Sequence, residues 1–209
     1  MAEITLKSAK KLYLSLGHTI TELEKDCDLI ISLLKKSDSI ENNDIVKTIR
    51  GLFETKLTLD YVNLDLCAAY RHYLMAGTNY EERHAIKNLN TIMHEGYKKL
   101  YGFTQKQNTF WKCQVKDAVE SYPEFKDEYI IISALLTQLQ TNEIFDKESR
   151  DLAVHYDNDP RKVYDMLAEI NAEEVSQRFS NLFLVFTQVL EFLKKINTKT
   201  IDTLIQSVL

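Results

Sequence analysis

Only five glycines and two prolines punctuate a chain of 209 residues. Those two residues most often end a helix or permit a tight turn. A chain so poor in both has few places to reverse, so it is expected to consist of long helices with few connections. The apolar residues agree. They recur at three- and four-residue spacing along most of the chain, and no useful run alternates at the two-residue period of a strand. No repeat of fixed period is visible. The expected fold is therefore all-α, an antiparallel helical bundle with a four-helix core and additional helices packed on it.

The same spacing places the elements. Residues 3–36 read as one helix through Leu6, Tyr13, Leu16, Ile20, Leu23, Cys27, Ile30 and Leu34. The polar run 37–43 reads as a hinge. A second helix is expected over 44–76, with Gly77 as its C-cap and a turn at 77–79. A third spans about 80–101 and stops at Gly102. Thr104 and Gln107 have the spacing of a capping box for a fourth helix, through Trp111 to about Glu120. Pro123 opens a fifth, to about Leu139, and 142–146 reads as a kink before the segment around Arg150. Pro160 ends any helix arriving from upstream and opens the next, with Asp159 as N-cap, to about Ile170. Asn171 and Glu174 cap a long helix over 172–196, and a last short helix covers about 200–208.

Hydrophobic residues make up 44% of the chain, enough for one core, so 1–209 reads as a single domain. Residues 1–40 form an N-terminal helical extension and 44–196 the bundle. A net charge of −5 gives no overall attraction to nucleic acid, so any RNA contact must come from a local patch or a groove shared between subunits. Cys27, Cys67 and Cys113 are odd in number and form no CxxC pair, which points to a reducing cytoplasm. No signal peptide or membrane span is expected.

One stretch concentrates the chemistry: Arg150-Asp151-Leu152-Ala153-Val154-His155, followed by Tyr156-Asp157-Asn158-Asp159-Pro160. Histidine can give and take a proton near neutral pH. Arginine offers a permanently charged planar fork that matches phosphate. Asp151 and His155 stand four apart, so on a helix they share a face, and the carboxylate can orient the imidazole. Arg150 and His155 stand five apart, roughly 140° around a regular helix. A compact Arg–His site then needs either an irregular helix or a second copy of the motif. The plain alternative is a solvated helix end with a cation at its C-terminus.

An arginine, a polar residue, three more residues and a histidine near the end of a bundle helix resemble the HEPN superfamily. The apolar helix before the motif and the long helix over 172–196 are similar to that family's four-helix bundle. So is the segment from Tyr80-Glu81-Glu82-Arg83-His84 to Tyr97-Lys98-Lys99-Leu100-Tyr101-Gly102-Phe103. The resemblance covers about 44–196. It implies a metal-independent endoribonuclease of toxin or defence type, acting as a homodimer with two motifs facing each other. Arg150 would hold the scissile phosphate, His155 would transfer a proton at the ribose 2′-OH, and Asp151 would fill the intervening polar position. It implies no cofactor and no metal, and admits an antitoxin or other protein partner. In one branch a tyrosine follows two residues after the histidine; here that residue is Asp157, so the chain is not placed in that branch. Many members are inactive, and the alternative is a catalytically silent interaction or scaffold protein.

Two further constellations were weighed. A di-metal carboxylate bundle needs two Glu-x-x-His motifs, and Glu81-Glu82-Arg83-His84 supplies one. His84 then reads as a first-turn polar residue, and the pairs Arg71-His72 and His94-Glu95 as surface. A basic surface with aromatics between could engage RNA through Arg71, His72, Arg83, Lys87, Lys98, Lys99, Lys106, Lys112 and Lys116 with Tyr97, Tyr101 and Trp111. The stronger expectation is that these lysines solvate helix faces and the aromatics fill the core.

Overall fold

The computed structural model describes residues 6–37, 44–104, 106–141, 160–169 and 171–208. In chain order these form α1 (Leu6–Ser37), α2 (Asp44–Leu74), α3 (Asn79–Leu100), a π-helical turn (Trp111–Val115), α4 (Lys116–Ser121), a 3-10 turn (Pro123–Phe125), α5 (Lys126–Thr141), α6 (Pro160–Glu169) and α7 (Ala172–Val208). No strand occurs among the described residues, and the all-α expectation is met.

α2 is the axis of the molecule. It packs against α1, α3, α4, α7 and the π-helical turn. Being covered on several sides, it buries Leu52, Leu59, Leu66, Cys67 and Tyr70, and also the polar Thr55, Asp60 and Asn63. α1 runs antiparallel along it: Asp26 meets Lys56, and Tyr13 meets Arg71. On another side Tyr70 stacks on Phe179 of α7, ring centroids 4.3 Å apart. α5 and the 3-10 turn before it lie antiparallel to α7, bridged by Glu128–Lys195 at 2.7 Å and Glu124–Lys199 at 3.4 Å. α2, α3, α5 and α7 thus enclose the core, and α1 flanks it.

Local chemistry sets the ends. Thr78 caps α3 reciprocally: its hydroxyl accepts the Glu81 N–H, and the Glu81 carboxylate accepts the Thr78 N–H. Two N–H groups and a hydroxyl on that carboxylate, those of Gly77 and Thr78, hold its pKa below the usual value. Gly77 is not the stop for α2, which ends at Leu74; its N–H instead serves Glu81. Gly102 is the left-handed stop for α3, with φ of 72° and its N–H donated to the Tyr97 carbonyl. A side chain there would be strained and would also meet Gln107.

The expected fourth helix is corrected. Gln107 does reach back, accepting the Phe103 and Thr104 N–H groups, but no helix follows directly. The chain instead enters the wide turn, where Val115 N–H donates to Phe110 O at 3.0 Å. The expected break near residue 197 is also absent: α7 is continuous from Ala172 to Val208. Nothing there stops a helix. The threonines bond back to carbonyls one turn earlier, as Thr200 does to Ile196 O at 2.7 Å, and Asn197 is buried within the run.

At Gly96, α3 lies directly against Val62 of α2. A Cβ at this position would lie 2.5 Å from Val62 Cγ1. Gly96→Ala should therefore destabilise by about 1–3 kcal/mol through overpacking, despite alanine's better helix propensity. Denaturant midpoints for Gly96→Ala, and for Gly96→Ala with Val62→Ala, check this; the double variant should recover part of the loss.

Candidate functional site

Arg150, Asp151 and His155 lie outside the described residues, as do the expected kink at 142–146 and the Asp159 cap. What is described is how the chain is held on either side. Upstream, α5 is tied to α3 and to the chain beyond it by three side-chain bonds. Tyr97 donates to the Leu136 carbonyl at 2.8 Å, the Tyr101 and Thr137 hydroxyls bond at 2.8 Å, and Gln140 donates to the Phe103 carbonyl at 2.7 Å. Downstream, Pro160 takes the first position of α6, as its fixed φ and missing N–H favour. α6 packs against α3. Asn171 then caps α7, accepting the Glu173 and Glu174 N–H groups and donating to the Glu174 carboxylate.

The weighed basic surface does not form a stacking platform. Tyr97 and Trp111 are fully buried, and Tyr101 nearly so. Lys112 lies over the Tyr101 ring and donates to the Thr104 carbonyl, while Lys98 and Lys116 pair with Glu95 and Glu120. Arg71 is half-buried, its guanidinium 4.1 Å from the Tyr13 ring and against Gly17, where a Cβ would come within 3.3 Å. Each isolated pair is surface only in part: His72 is exposed and Glu95 half-exposed, as expected, but their neighbours are not. Arg71 packs α1 on α2, and His94 is only 5% exposed and lies on the Phe103 ring. The lone Glu-x-x-His motif is also otherwise engaged: Glu81 is spent on the α3 cap, and exposed His84 faces Asn88 at 3.4 Å. Among the described residues no group of three His, Cys, Asp or Glu side chains is placed to hold a metal ion.

A polar cluster that sequence reading did not single out lies between α1 and α2. Lys56 Nζ donates to Asp60 Oδ2 at 2.7 Å and to Asp26 Oδ2 at 3.1 Å. The Asp60 side chain is fully buried, and among the described residues its other oxygen has no hydrogen-bond partner. The available clue was a lysine and an aspartate four apart on a helix that is otherwise apolar on that side. Burial raises the Asp60 pKa, and Lys56 only partly opposes this. Burial pulls Lys56 down, but bonding to Asp60 and Asp26 outweighs it and leaves its pKa raised. The Cys27 thiol beside them is pushed up to about 11 by burial and by the Asp60 charge.

A lysine with a raised folded pKa adds stability that is complete below its unfolded value, about 10.4. That stability is lost as the pH climbs through the folded value. Lys56→Met should therefore melt lower than wild type at neutral pH and show a flatter alkaline limb. Melting temperature against pH for the two proteins checks this. Parallel alkaline limbs would mean that Lys56 is not held by this cluster.

No protein-family model, curated protein or solved structure matches this chain. No helix among the described residues is long and apolar enough to cross a membrane.

Proposed function

We propose that this chain is a HEPN-like, metal-independent endoribonuclease of toxin or defence type that works as a homodimer. The observation that carries the reading is the Arg150-x4-His155 sequence, set between two helices of an all-α antiparallel bundle. In this reading Arg150 grips the scissile phosphate with its fork. His155, oriented by Asp151, takes the ribose 2′-OH proton. The freed oxygen attacks the adjacent phosphorus, the bond to the 5′-oxygen breaks, and that oxygen leaves with a proton. The product ends are a 2′,3′-cyclic phosphate and a 5′-hydroxyl. The second motif comes from the partner copy, because a regular helix would splay the two residues. The test incubates the sized dimer with mixed cellular RNA in chelator and identifies the new ends.

A second reading, a silent interaction module, is favoured by one observation. Ile130 and Ile131 on α5 and Leu184 on α7 are more than half exposed on two helices that pack together. Large apolar side chains so displayed suit a protein partner. A folded dimer that leaves varied RNAs intact in that assay would favour this reading.

A further inference from the structure

A cleft of about 220 Å³ opens beside the π-helical turn, lined by Lys99, Asn108, Thr109, Phe110, Cys113 and Gln114. Pockets for drug-sized ligands run from about 300 to 1,000 Å³, so this one suits a single planar ring system. Its walls are fixed. Trp111 anchors the turn in the core, and Thr109 donates its hydroxyl to the Tyr101 carbonyl. Gln114 lies against Gly51, where a Cβ would come within 3.0 Å of its Cγ.

The lining has a definite chemistry. Phe110 supplies an aromatic wall. Gln114 lines the cleft too, but its side-chain oxygen is buried and, among the described residues, accepts no hydrogen bond. Asn108 adds a second amide, and Lys99 a cation at the rim. Among the described residues no carboxylate lines the cleft. An aromatic face, an exposed amide (Asn108) able to read a hydrogen-bonding edge and one lysine match a nucleotide: base on the ring, edge on the amide, phosphate on the ammonium.

We propose that this cleft binds one unpaired nucleobase of single-stranded RNA, with the adjoining phosphate on Lys99. The choice of RNA rests on the ribonuclease reading above; the cleft's own chemistry carries the nucleotide. Its place is distinct from the Arg150–His155 motif in sequence, and it would position the strand without taking part in the chemistry.

The chain carries its own reporter. Cys113 lines the cleft and is half-buried, whereas Cys27 and Cys67 are buried and their thiols are pushed up to about 11. Alkylation of Cys113 is followed by mass spectrometry with each of the four nucleoside monophosphates, and calorimetry on the same pairs gives a readout independent of the thiol. At least one nucleotide should slow alkylation and bind by calorimetry. Phe110→Leu, which keeps an apolar side chain and removes the stacking face, should weaken that binding about tenfold with an unchanged melting temperature. Lys99→Ala should weaken the monophosphate more than the free nucleoside. If none of the four binds, or if Phe110→Leu binds as wild type does, the proposal is overturned. RNA cleavage is scored separately. Binding without cleavage leaves the nucleotide cleft standing and removes the ribonuclease reading. Cleavage without binding at the cleft does the reverse.

Discussion

His155→Ala is expected to lower RNA cleavage in chelator by about two to four orders of magnitude, the range that a positioned general acid–base group contributes. The melting temperature should hardly change, because the sequence around His155 is rich in aspartate and holds no long apolar run. Arg150→Lys should be nearly as severe. A lysine keeps the charge but presents a point ammonium where a fork held two phosphate oxygens. Asp151→Asn should be milder and shift the pH profile, since an aspartate beside the imidazole favours its protonated form. If the site joins two copies, mixing the inactive Arg150→Ala and His155→Ala chains should restore part of the activity. Each variant still carries the residue that the other lacks. Equal RNA loss with wild type and His155→Ala would assign the activity to another site or a contaminant. Full activity in a monomer would remove the need for a second copy.

The helices were readable because their apolar spacing is long and rarely interrupted. α3 shows this well: Ala85, Leu89, Met93, Tyr97 and Leu100 are all buried, and its ends are marked by Thr78 with Glu81 and by Gly102. The π-helical turn was not readable. Trp111, Val115, Ala118 and Val119 are buried at spacings that suit an ordinary α-helix equally well. The difference lies in the backbone bonding, as from Val115 N–H to Phe110 O, which no side chain announces. Thr104 and Gln107 misled for a related reason. The glutamine does satisfy two free N–H groups, but it closes a loop after α3 rather than opening a helix. The Lys56–Asp60–Asp26 cluster needed a tertiary fact, that α1 lies against the side of α2 that carries Lys56 and Asp60. Of the chemistry assigned from sequence, Arg150, Asp151 and His155 remain a reading of residue types and spacing. The cleft at Phe110 depends on Lys99 of α3 meeting the stretch 108–114 after the chain has turned, which spacing along the chain does not encode.

Trp111→Ala should be among the most damaging single substitutions in the described core. The indole is fully buried. It stacks on Tyr129 with centroids 5.0 Å apart and planes within 7°, and it touches Phe192 of α7 at 5.6 Å. Its Nε1–H donates to Ser133 Oγ on α5 at 2.8 Å. One side chain therefore joins the turn, α5 and α7. Removing it opens a cavity walled by rings that cannot all collapse inward, and such truncations cost about 3–5 kcal/mol. In a chain of this size each kcal/mol lowers the melting temperature by about 2–4 °C, so a fall of about 6–20 °C is expected. Trp111→Phe should cost clearly less, because most of the apolar contact survives and half-buried Ser133 can turn to water. The two variants differ mainly in volume, so their separation measures packing rather than the lost hydrogen bond. Differential scanning calorimetry on both checks the order. A fall of less than about 2 °C for the alanine variant would place the indole outside a tightly packed core. The same variant also bears on the neighbouring cleft. Phe110 and Cys113 flank the indole in the chain, so loss of its anchor should quicken Cys113 alkylation even at temperatures where the bundle remains folded.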